Sequence, residues 1–191
     1  MIYVEESEWL DPEKVLSSPG GFVAAWSAEY RYPNERLYDE NVGKNLTHER
    51  VLNLFAWKNG TGETIAPKKR RSIEKNYLPE LNSLPILSRI EDGKTYLESL
   101  QGGAIWGIFW LHLINPKLFP IFDQNTYRSM AAIIGLRAEI PKYSRRKVFD
   151  AYFTQYIPFL QRFNGLDERT VDKALFAYGQ ALRRRSKKNS K

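Results

Sequence analysis

The residues that could do chemistry in this 191-residue chain are few. Asp123 stands in Phe119-Pro120-Ile121-Phe122-Asp123-Gln124-Asn125-Thr126-Tyr127-Arg128, at the head of a helical pattern. A carboxylate there is a good helix cap. Beside a reacting centre it can also stabilise a developing cation or activate water. Upstream, Leu100-Gln101-Gly102-Gly103-Ala104 sets two glycines ahead of a long apolar run. That reads as a tight interhelical turn, or as a place where backbone N–H groups can approach a ligand closely. Lys68-Lys69-Arg70-Arg71 and Arg145-Arg146-Lys147 read as solvated helix starts or as phosphate contacts. Cations at a helix N-terminus work against its dipole, so an anionic partner would relieve them. Trp106, Phe109 and Trp110 read first as core, with Trp106 open to a stacking role. His112 reads as a buried, hydrogen-bonded histidine. Gly93-Lys94-Thr95 has the letters of a phosphate loop in the wrong context: the upstream glycine is missing, and 84–92 reads as helix where a strand should precede.

Composition removes much else. With no cysteine, disulfides, Cys-ligated zinc, iron–sulfur clusters and thiol catalysis are excluded. Two histidines, His48 and His112, leave no basis for a His-rich metal site, and no His/Asp/Glu cluster has ligand spacing, so no metal or cofactor is expected. Hydrophobic residues make up 42% of the chain, enough for a folded core. The net charge is +7, from 29 basic against 22 acidic residues. Arg183, Arg184, Arg185, Lys187, Lys188 and Lys191 carry six of those charges, so without them the remainder is +1. The basic balance therefore belongs to 183–191, which reads as a flexible basic tail, phosphate-touching or simply solvated. No apolar stretch reaches the roughly 18 residues of a membrane span, and the N-terminal Met1-Ile-Tyr-Val-Glu-Glu has no leader pattern. The expectation is a cytoplasmic protein without a membrane partner.

The elements that must position these residues are helical, because apolar residues recur at helical spacing and strand alternation is almost absent. Short helical turns are predicted over 12–16, after Asp11, and a helix over 21–30. Thr47 caps a helix carrying Val51, Leu54 and Phe55 and ending at Lys58-Asn59-Gly60. Pro67 opens a basic helix to Asn76. Pro85 opens another, with Ile86, Ile90, Leu97 and Leu100 near one face and Gly93 weakening it. The segment 104–114 is apolar all round and reads as the buried central helix, closed by Asn115-Pro116. A helix follows Asp123 to Ile134. Pro141 begins a long segment with Phe149, Phe153, Ile157 and Leu160, kinked at Pro158. Asp167 caps a last helix with the stripe Val171, Leu175, Tyr178 and Leu182. The fold class is all-α: a single globule over 1–182, open to division into two helical subdomains with a cleft near 101–123.

The order of turn, buried helix, extended connector and Asp-led helix over Leu100–Arg128 resembles the helix-hairpin-helix DNA glycosylase superfamily. Phe119–Arg128 follows that group's phrase Phe-Pro-Ile-Leu-Asp-Gly-Asn-Val-x-Arg closely. Leu100–Ala104 matches the leucine and first glycine of its hairpin and places the second glycine one residue early. The resemblance implies a two-lobed helical fold and double-stranded DNA as partner. It implies Asp123 as the catalytic carboxylate, acting on the cationic sugar of a base rotated out of the duplex. It implies backbone contacts to a DNA phosphate from Gln101, Gly102, Gly103 and Ala104, with Arg128 beside them, and a base pocket formed by Trp106 and Tyr127. Members that also nick DNA carry a lysine just after the hairpin, where this chain has Ile105 or Trp106, so the expected activity is monofunctional base excision. The displaced glycine and missing lysine also suit a non-catalytic nucleic-acid-binding relative, and the near-neutral body suits an unrelated helical interaction protein.

Overall fold

The structure, a computed structural model, describes residues 12–60, 64–137 and 144–188. Among them every regular element is a helix and none is a strand. The helices are α1 (Pro12–Ser17), α2 (Pro19–Ala28), α3 (Glu35–Asp39), α4 (His48–Asn59), α5 (Pro67–Asn76), α6 (Ile90–Ser99), α7 (Ala104–Ile114), α8 (Gln124–Ile133), α9 (Arg145–Asp150), α10 (Ile157–Leu160) and α11 (Glu168–Lys188). Short 3₁₀ turns cover Leu78–Ser83 and Gln161–Phe163, and a π-helical turn covers Ala151–Tyr156. No described helix is long and apolar enough to cross a membrane.

The chain divides into two units: residues 1–31 with 122–191, and residues 32–121. In the second unit α7 supplies the core. Its residues Gly107 to Leu113 are all buried, as its apolar surface requires. Phe55 of α4 packs against Phe109 edge-on at 5.5 Å and against Trp106 and Tyr77 at 5.1 and 5.0 Å. His112 sits inside this core. Its Nδ1 faces the Phe119 carbonyl at 2.8 Å and its Nε2 faces the Tyr38 hydroxyl at 2.8 Å. A carbonyl only accepts, so Nδ1 carries the proton and the Tyr38 O–H donates to Nε2. Gly93 is buried rather than weakening: a Cβ there would lie 2.3 Å from the Phe119 ring, so the glycine lets Phe119 close against α6.

In the first unit α11 lies against α8 and α2. Tyr178 meets Phe22 edge-on at 5.4 Å and Trp26 at 5.2 Å. At Gly179 a Cβ would stand 2.1 Å from the Asn125 carbonyl oxygen, so only glycine lets α11 approach the start of α8 this closely. The Ser129 hydroxyl donates to the Leu175 carbonyl across the same contact.

Several expectations need correction. Pro85 opens no helix: α6 begins at Ile90, and Ile86, expected on a buried face, is 90% exposed. The Asp92 carboxylate accepts the Ser88 and Arg89 N–H groups at 3.2 and 2.9 Å, which fixes the helix start there. The segment before it instead holds a 3₁₀ turn, Leu78–Ser83. The second helix starts at Pro19, two residues before Gly21, with proline in its first turn. In the long C-terminal segment Pro141 lies outside the described residues and α9 is opened by Ser144, whose hydroxyl accepts the Lys147 N–H. The turn ahead of Pro158 is π-helical, a widening that accommodates the loss of the proline N–H. Arg183–Lys188 continue α11 to its end at Lys188.

Candidate functional site

Asp123 is half-buried and caps α8. Its Oδ1 accepts the backbone N–H of Asn125 at 2.7 Å and of Thr126 at 3.1 Å. Thr126 closes the capping box by accepting the Asp123 N–H at 3.0 Å. Capping holds the carboxylate in one place.

Behind the cap lies a buried polar group that the sequence reading did not single out. Thr126 is fully buried, and its hydroxyl is a hydrogen-bond partner of the Tyr156 phenol. Burial, followed by the negative charges of Asp172 and Asp123, pushes Tyr156 well above the ordinary phenol range, although the Thr126 hydrogen bond pulls the other way. Tyr156 therefore stays a neutral O–H. Asp172 is itself little exposed and pairs with Arg169, whose guanidinium also donates to the Tyr30 hydroxyl at 3.1 Å. The π turn brings Tyr152 and Tyr156 onto Phe122, with ring centroids 5.3 and 5.0 Å away. The only sequence signs of this cluster were the Asp123–Thr126 capping spacing and the tyrosines four residues apart. Asp172, on the last helix, gave none.

The remaining candidates fall in two sets. Tyr127 and Arg128 share α8 with Asp123 in the first unit. Tyr127 is buried edge-on to Phe122 at 6.0 Å, which makes it core here. Arg128 is half-buried and donates to Asn125 Oδ1 at 2.9 Å and to the Gly179 carbonyl at 3.3 Å, bracing α8 against α11. Gln101, Gly102, Gly103, Ala104 and Trp106 belong to the second unit. Gln101, Gly102 and Gly103 are exposed. Gly102 has φ +110°, a conformation reserved for glycine, and a Cβ there would meet the Tyr77 hydroxyl at 2.8 Å. Gly103 opens α7 without a side-chain cap, so the first-turn N–H groups of that helix receive no side-chain acceptor from it. Trp106 is half-buried against Phe55, with the Lys69 ammonium 6.0 Å above its ring. A shallow cleft of about 270 Å³ in the same unit is lined by Glu49, Leu52, Asn53, Thr64, Ile65 and Arg70. Among the described residues no group of three His, Cys, Asp or Glu side chains could hold a metal ion.

Comparison with family models, with curated proteins and with solved structures gives no match.

Proposed function

We propose that this protein is a monofunctional DNA glycosylase of helix-hairpin-helix type, in which Asp123 attends cleavage of the bond between a flipped base and its sugar. The observation that carries the reading is the Asp123 carboxylate itself: half-exposed, fixed by two backbone N–H groups, and standing in the phrase Phe119–Arg128. As the C1′–N bond breaks, the sugar becomes cationic. A pre-positioned carboxylate stabilises that charge or takes a proton from the attacking water. The base leaves with the bonding pair, and water supplies the hydroxyl that replaces it at C1′. The exposed Gly102–Gly103 turn and the side-chain-uncapped start of α7 support a phosphate contact by backbone N–H groups. No lysine follows the turn, so no Schiff base with the sugar is formed and the strand is left unbroken.

A second reading has its own observation. Phe122 and Tyr127 are buried in an aromatic cluster, which suits a nucleic-acid-binding relative that keeps the turn without a base pocket.

Base release from duplexes carrying a panel of damaged bases separates the two, with Asp123→Asn as the partner variant. Asparagine retains capping and removes the charge. Release by the wild type that the variant loses supports the glycosylase. Salt-dependent binding without release by either supports the binding relative. Trapping of a covalent adduct with borohydride contradicts the monofunctional mechanism.

A further inference from the structure

The basic helix α5 has an internal division of labour. Ile73 is its one buried side chain. Around the helix axis, Lys68, Arg71 and Lys75 lie on the side opposite Ile73, at spacings of three and four residues. Their two flanking cations are already engaged. Arg70 pairs with Glu74 at 2.9 Å. Lys69 donates to Asn59 Oδ1 and stands over Trp106. Lys68, Arg71 and Lys75 are all exposed, and none has an acidic partner among the described residues. They form a stripe about 10 Å long.

This arrangement is unfavourable in isolation. Like charges at these spacings repel along a helix. Three of the first four residues after Pro67 would suffice to oppose the dipole; here all four are cationic, with no acid in the first turn. A row of phosphates relieves both costs at once.

We propose that the Lys68–Arg71–Lys75 face of α5 binds the sugar–phosphate backbone of a nucleic acid. A lipid surface is the poorer fit, because α5 exposes only Pro67 at its start and no larger apolar side chain to enter the acyl layer. The proposal does not depend on base release.

The test is fluorescence anisotropy with labelled oligonucleotide duplexes over a range of salt, using the full chain. One variant carries Lys68→Glu, Arg71→Glu and Lys75→Glu. A second, of equal net charge, carries Lys94→Glu, Lys117→Glu and Arg137→Glu at exposed positions elsewhere. Far-UV circular dichroism checks that both keep their helix content. The α5 variant is expected to bind at least tenfold more weakly and to lose roughly two to three units of the slope of log K against log salt. The control variant is expected to stay within a few-fold of wild type. Equal weakening in the two triple variants overturns the proposal, since net charge then suffices. So does unchanged binding by the α5 variant. Equal or tighter binding of the wild type to anionic phospholipid vesicles also overturns it, in favour of a membrane surface.

Discussion

At the scale of the residue, Asp123 serves the fold and, on our reading, the reaction, and substitutions pull the two apart. Asp123→Ala removes an oxygen that satisfies two backbone N–H groups and is expected to cost about 1 kcal/mol in urea denaturation. Asp123→Asn keeps most of that stability while base release falls by at least about 100-fold. His112 makes a different point. Both its nitrogens are engaged, so His112→Phe leaves the Phe119 carbonyl and the Tyr38 hydroxyl buried without it and should cost about 2–4 kcal/mol. Asp167 gives a pH signature. Its carboxyl is held below the ordinary range chiefly by the Thr170 hydroxyl, then by the Thr170 N–H. A folded value below the unfolded one means stabilisation that is complete above the ordinary carboxylate range and is lost as pH falls through the folded value. Urea midpoints measured on acidification should therefore fall less steeply for Asp167→Asn than for wild type.

At the scale of the element, the contact between α11 and α8 governs the cap. Gly179 admits the Asn125 carbonyl at a distance no side chain permits. Gly179→Ala must push α11 away or displace Asn125, whose N–H is one of the two donors on Asp123. The expected result is a loss of about 1–3 kcal/mol together with a loss of base release, whereas Asp123→Asn affects mainly the second. Measuring denaturation and activity on the same preparation checks the pairing. The elements also show what was legible in advance. The caps Thr47 and Asp167, the buried α7 and the stop at Gly60 were readable because each rests on neighbours in sequence. The helix drawn from Pro85 was wrong because its start is decided by the reach of Asp92 to two N–H groups, which apolar spacing does not encode. The π turn before Pro158 likewise sets Tyr152 and Tyr156 on Phe122, contacts that apolar spacing does not encode. The Asp123 cap could be read, but not the Thr126, Tyr156 and Asp172 cluster behind it, whose members meet only through tertiary packing.

At the scale of the whole molecule, buried phenols set an upper pH limit. Tyr152 and Tyr156 lie well above the ordinary phenol value of 10, chiefly through burial; Tyr178 and Tyr127 are raised for the same reason. Their folded values exceed the unfolded ones, so the neutral phenols stabilise the fold below the ordinary value, and that contribution is lost as pH rises through the folded values. Tyr96 is raised too, by burial and by its hydrogen bond to Glu80. An alkaline titration should show these buried phenols ionising only together with unfolding; independent ionisation of each near the ordinary phenol value would contradict the burial. No linker marks the division into two units, since residues 1–31 join 122–191 through contacts that span most of the chain. That division sets an order of synthesis. Residues 32–121 can complete their own core while α2 still waits for α11, made only from Glu168 onward. On the ribosome Phe22, Val23 and Trp26 thus wait, at synthesis rates of about 5–20 residues per second, on the order of ten seconds for the helix that covers them.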